Sequence, residues 1–141
     1  MINIPNELSY DDISIGQQES FMIKITASMV EKFSNLSGDL NPLHMDNEFA
    51  ESSSFKKRIV HGMLLSSFFS QLIGMKLPGK NALYFSQTLN FRSPCYIDDE
   101  IKVIGKVIEK SDSTQIITVS TTIFNKSKTC LIDGIAKIIV R

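Results

Sequence analysis

Apolar and polar residues alternate along this chain in two different rhythms, and the rhythm changes after Gly79. Behind an irregular lead, Phe21, Ile23 and Ile25 alternate with Met22 and Lys24. That period of two predicts a first strand with one buried face. Ser28 followed by Glu31 offers a capping box, and Met29, Val30, Phe33 and Leu36 then form the apolar side of a short helix ending near Gly38. From His61 to Lys76 the apolar residues Met63, Leu64, Leu65, Phe68, Phe69, Leu72, Ile73 and Met75 occupy nearly every side of a second helix, as in a buried one. Gly62, Ser66, Ser70 and Gly74 recur on it every four residues, a line of small side chains that a sheet or a ligand approaches closely. Leu77-Pro78-Gly79 terminates this helix.

Beyond Gly79 the period is two throughout. Leu83, Phe85, Leu89 and Phe91 alternate with polar neighbours; Ile117, Val119, Thr121 and Ile123 repeat the pattern; Ile132, Ala136, Ile138 and Val140 close the chain. Between Glu100 and Lys110 the alternation changes phase between Val103 and Ile104, beside Gly105, where a bulge is expected. One strand, a buried helix and then consecutive strands predict an α+β domain with an antiparallel sheet packed on the helix.

The 141 residues suffice for one hydrophobic core and are too few for two ordinary domains, so a single domain over 1–141 is expected. No apolar run approaches a membrane span. Met1 to Tyr10 has neither a basic start nor an apolar stretch, so no signal peptide and a cytoplasmic protein are expected. Cys95 and Cys130, without metal-ligand spacing, read as reduced packing residues. Fifteen basic residues balance fifteen acidic ones. No field favours nucleic acid, and Lys56-Lys57-Arg58 is too short to be a footprint.

Chemistry concentrates between the two helices, in Phe33-Ser34-Asn35-Leu36-Ser37-Gly38-Asp39-Leu40-Asn41-Pro42-Leu43-His44. Gly38 allows a sharp exit from the helix, and Pro42 biases Asn41 toward extended geometry. Asp39 and His44 can therefore turn toward one point and share a water, one accepting a proton while the other donates one. Taken singly, each is as well read as a turn residue or a packed histidine. A zinc site does not assemble from two histidines lacking ligand spacing.

The combination resembles the signature of MaoC-like dehydratases and the R-specific enoyl-CoA hydratases among them: an aromatic residue, a short spacer, a small residue, Gly-Asp-x-Asn-Pro-aliphatic-His, and a small residue six positions later. Phe33, Ser37, Gly38, Asp39, Asn41, Pro42, Leu43, His44 and Ala50 fill every element. Ile59-Val60-His61-Gly62-Met63-Leu64 is similar to the family's opening of the central helix, and Leu77 through Phe91 to its following turn and strand.

The resemblance implies a hot-dog fold paired as a homodimer, hydration of a trans-2-enoyl-CoA or the reverse dehydration, and no metal or redox cofactor. It implies that Asp39 and His44 hold the catalytic water and that the Gly62 N–H meets the thioester oxygen. Ser70 lines the family's pocket, though a serine on the small-residue stripe serves packing equally well. Asn41, also on the substrate side, is expected to hydrogen-bond the loop, and His61 to cap the helix or hydrogen-bond in the loop. Lys56, Lys57, Arg58, Lys80 and Arg92 are candidate cations for the coenzyme A phosphates. An acyl-carrier-protein dehydratase, a thioesterase and a non-catalytic acyl-thioester-binding module are the alternatives.

Overall fold

The computed structural model describes residues 3–141; Met1 and Ile2 of the lead lie outside the described residues. The strands are β1 (Gln18–Lys24), β2 (Ala82–Gln87), β3 (Asn90–Phe91), β4 (Glu100–Ser111), β5 (Ile116–Asn125) and β6 (Cys130–Val140). All pair antiparallel in the order β1-β4-β5-β6-β2, with β3 also on β6. The helices are α1 (Ala27–Ser37), α2 (Pro42–Met45), α3 (Asn47–Ser52) and α4 (Gly62–Gln71). This is the α+β arrangement that the pattern predicts, with α4 as the central helix.

The inward positions of the sheet follow the period-two reading closely. Ile117, Val119, Thr121 and Ile123 on β5 and Ile132, Ala136, Ile138 and Val140 on β6 are all buried. All but Thr121 pack with Leu65, Phe69, Leu72 and Ile73 from the helix side, in two clusters. Each of the Val, Leu, Ile and Phe side chains among them contributes about 1.5–3 kcal/mol relative to exposure. The helix runs to Lys76 as expected, but its last stretch, Leu72–Lys76, is wound as a π-turn in which the Leu77 N–H donates to the Leu72 carbonyl at 3.0 Å.

Three local expectations are corrected. The first helix is capped by Thr26, whose hydroxyl accepts from the Met29 N–H at 3.2 Å, so it starts before Ser28 and Ser28 caps nothing. The β4 bulge lies between Val107 and Glu109 rather than at Val103. Gly105 takes an inward place between Val103 and Val107, where a Cβ would meet Leu72 Cδ2 at 2.7 Å. On the helical stripe the Phe91 ring of β3 closely approaches Gly62, whereas Gly74 has nothing within 4 Å of an added Cβ. Finally, the stretch from Leu83 to Phe91 is two strands, with the Thr88 carbonyl lying against Gly134 between them. Leu83 and Phe85 are exposed rather than core residues.

Candidate active site

α1 ends at Gly38, whose φ of 80° is left-handed, and the chain turns at once into the candidate segment. Asp39 Oδ1 accepts from the Asn41 N–H at 3.2 Å. Asn41 in turn caps α2, its Oδ1 accepting from the Leu43 N–H at 3.0 Å, with Pro42 in the first turn where its missing N–H costs nothing. Asn41 therefore hydrogen-bonds the loop. Asp46 plays the same part for α3, accepting from the Glu48 and Phe49 N–H groups.

The imidazole of His44 is held from behind. Its Nδ1 lies 2.8 Å from the Ile59 carbonyl, which can only accept, so Nδ1 carries the hydrogen and Nε2 keeps its lone pair in the neutral ring. Arg58 Nε donates to the His44 carbonyl, and the Ile59 N–H donates to the Leu43 carbonyl at 3.3 Å. The short helix α2 is thereby tied along its length to residues 58–59.

His61 is 2% exposed and joins this group from the start of α4. Its Nε2 lies 3.1 Å from the Asp39 carbonyl, so Nε2–H is the donor, and its ring stacks on that of His44 with centroids 3.9 Å apart. Phe33 meets the same ring edge-on at 4.9 Å. Of its two expected roles, hydrogen bonding in the loop is observed, and capping is not: His61 stands at the N-cap of α4 but its side chain makes no capping hydrogen bond there. Burial, with His44 alongside, holds the His61 pKa below its ordinary value despite the opposing pull of Asp39. A carboxylate oxygen of Asp39 and ring nitrogens of His44 and His61 all lie within 4.8 Å of one another. As metal ligands they are poorly disposed, since the His61 Nε2 lone pair is replaced by a hydrogen committed to Asp39.

An open cavity of about 390 Å³ lies beside the group, lined by His44, Gly62, Met63, Leu65, Phe91 and Arg92 among others. Gly62 stands at the N-terminus of α4, where uncapped N–H groups and the helix dipole favour negative charge. Ser70 is exposed and lies in a separate groove of about 260 Å³. Among the candidate cations, Lys80 pairs with Glu7 at 3.1 Å and Arg92 with Asp133 at 3.0 Å. Lys56, Lys57 and Arg58 border another depression with Tyr96. Ser34 escaped the sequence reading: it is wholly buried, donates to Met45 Sδ at 2.9 Å and lies 3.3 Å from His61 Nε2. Its place four residues after Val30, the other buried residue of α1, was the available signal.

The sequence model described as "MaoC like domain" matches residues 13–128. The chain belongs to the MaoC-like dehydratase family. It is an enzyme of the hydro-lyase class, with the family's hot-dog fold. It is 37% identical over 127 residues to an (R)-specific enoyl-CoA hydratase of Aeromonas caviae, covering 90% of this chain and 95% of that one. It is 41% identical over 114 residues to a mitochondrial 3-hydroxyacyl-[acyl-carrier-protein] dehydratase of Arabidopsis thaliana, covering 79% and 68%. An R-hydratase structure from Pseudomonas aeruginosa superposes with a TM-score of 0.92 at 33% identity, covering 96% of this chain and 87% of the other. Among the described residues of this MaoC-like chain, no helix is long and apolar enough to cross a membrane.

Proposed function

We propose that this MaoC-like chain is an (R)-specific enoyl-CoA hydratase, adding water reversibly to trans-2-enoyl-CoA with Asp39, His44 and Gly62 as its catalytic groups and no metal or redox cofactor. The observation that carries the reading is that an Asp39 carboxylate oxygen and a His44 ring nitrogen lie within 4.8 Å of each other, with His44 lining a largely apolar cavity. Two hydrogen bonds of about 2.7–3.2 Å bridge such a gap through one water.

In the hydration direction the water donates one O–H to His44 Nε2 and the other to Asp39. Its oxygen bonds to the β-carbon as His44 takes the first proton. Electron density moves through the double bond onto the thioester oxygen, where the Gly62 N–H and the dipole of α4 stabilise it. A proton then returns from the pair to the α-carbon on the same face, which restores both groups and leaves the hydroxyacyl thioester. The Ile59 carbonyl fits this cycle, because an acceptor on Nδ1–H steadies the ring while Nε2 is charged. The likeness to the Aeromonas caviae hydratase over 90% of the chain supports the same substrate class.

Residues 1–141 would form one hydratase domain, working as a homodimer. The sheet ends in open edges at β1 and β2, and β2 exposes Leu83 and Phe85. The deciding experiment is hydration of crotonyl-CoA followed by loss of enoyl-thioester absorbance, with chiral analysis of the product. An (S)-product, or no turnover, defeats the proposal. A second reading, dehydration of 3-hydroxyacyl groups on an acyl carrier protein, draws on the Arabidopsis thaliana relative. Matched coenzyme A and carrier-protein substrates compared by kcat/KM decide between them.

A further inference from the structure

The proposed scheme gives His61 no task, although it is 2% exposed and touches both members of the pair. We infer that His61 is a positioning residue: its Nε2–H fixes the Asp39 main chain and its ring is the platform on which the His44 imidazole lies, so that one side chain sets how far apart the two water-holding groups stand. This inference rests on the hydratase reading for its kinetic consequence, though not for its geometry.

The two contacts are of different kinds and come from different ends of the same ring. Nε2–H is 3.1 Å from the Asp39 carbonyl oxygen, while the ring face stacks on His44 at 3.9 Å with 29° between the planes. The ring itself is braced. Ser34 spends its hydrogen on Met45 Sδ, so its oxygen presents a lone pair to the same Nε2–H at 3.3 Å, and Phe33 closes the edge. His61 is therefore seated by α1 before it seats the loop that follows α1.

Its other nitrogen shows that filling space is not the reason for a histidine here. Nδ1 is buried without a hydrogen-bond partner among the described residues. A buried acceptor left unpaired costs about 1–3 kcal/mol. An apolar side chain of similar volume would avoid that cost and lose the Nε2–H that faces the Asp39 carbonyl and the Ser34 oxygen. The lowered His61 pKa points the same way, since a neutral ring adds no positive charge beside His44 at the moment His44 takes the water's proton.

The test uses His61→Leu, which removes the donor, and His61→Gln, which returns an N–H at similar reach. For crotonyl-CoA hydration per folded protein, the Leu variant should lose about 10- to 100-fold in kcat with KM within about twofold, the signature of misplaced reacting groups. The Gln variant should recover a large part of that loss. An unchanged kcat in the Leu variant, or a Gln variant no faster than it, overturns the inference. Imidazole ¹⁵N–¹H spectra of the wild-type protein should show His61 as the neutral Nε2–H tautomer at pH 7, and a charged ring or an Nδ1–H tautomer also overturns it. If the wild-type protein fails to hydrate any enoyl thioester, the functional reading falls by itself. The His44 ring signals then decide the positioning: they should shift in the His61 variants, and identical signals would end it.

Discussion

The Phe91 ring lies so close to Gly62 that a Cβ added at Gly62 would meet Phe91 Cδ1 at 2.5 Å. Phe91 is 56% exposed on the short strand β3, so its ring has solvent to swing into. A side chain at position 62 thus displaces an exposed ring rather than backbone, and the cost in stability is modest. Its larger effect falls on the cavity that both residues line. Gly62→Val should remain folded and lose turnover, because the thioester can no longer approach the N–H, a donor whose loss costs about 3–4 kcal/mol of barrier. The double variant Gly62→Val/Phe91→Ala separates the causes. Restored kcat on crotonyl-CoA, with a circular dichroism melt on the same sample, would show that Gly62 serves only to seat Phe91.

Asp39→Asn and His44→Gln should each lower kcat by about 10²–10⁴-fold, the usual contribution of a positioned acid or base. The two groups would act on one water, so the double variant should be little slower than either single one. Rate losses that multiply, measured at saturating crotonyl-CoA, would sink the shared-water scheme.

What the sequence disclosed and what it hid have physical causes. The alternation on β5 and β6 was legible because one face of each strand is packed on the helix, so burial imposes the period. Leu83 and Phe85 on β2 carry the same alternation with no core behind them in the single chain. Asp39, Asn41 and His44 were legible because their spacing is local. His61 reads in the sequence only as a residue that caps the helix or hydrogen-bonds in the loop, since its contact to Asp39 spans 22 residues and its stacking on His44 leaves no trace in spacing. The bulge was misplaced because Gly105 is inward by lack of room, and a glycine carries no hydropathy to mark its face.

Stability should fall with acid in a window set by His61. Its folded pKa lies below the ordinary 6.5, so between those values the unfolded chain binds a proton that the native protein refuses. Stability is then fully present above about pH 6.5 and is lost as the pH falls toward the folded pKa. Asp12 and Asp133, both with lowered pKa values, act only near or below their ordinary 3.8 and leave this window clear. Melting temperatures between pH 7.5 and pH 5 should decline for the wild-type protein and stay flatter for His61→Gln; parallel curves would contradict this assignment.

The proposed homodimer should be evident as twice the chain mass in light scattering at micromolar concentration. Lysine at Leu83 and Phe85, both exposed on edge strand β2, should shift the mass toward the monomer without lowering the helix and strand content. A monomeric wild-type protein, or an unaffected dimer in the double-lysine variant, would remove β2 from the interface.

Acyl length should depend on Met63, which stands between two depressions. It lines the cavity of about 390 Å³ with His44 and Gly62, and also the groove of about 260 Å³ with Ser66, Ser70 and Leu89. A thioester held at Gly62 with its acyl chain directed along the small-residue stripe must pass this side chain. Methionine is unbranched and adaptable, well suited to yield to a chain of moderate length while narrowing the path for a longer one. Met63→Ala should join the two spaces and raise the kcat/KM ratio of decenoyl-CoA to crotonyl-CoA by about tenfold, the scale at which apolar pockets discriminate methylenes. Ser70→Leu, which fills the groove beyond Met63, should lower the same ratio while leaving crotonyl-CoA turnover nearly unchanged. The two substitutions push in opposite directions only if the acyl chain uses that path. Equal changes for both substrates in either variant would show that the stripe from Gly62 to Ser70 serves packing, and that long acyl chains leave the cavity elsewhere.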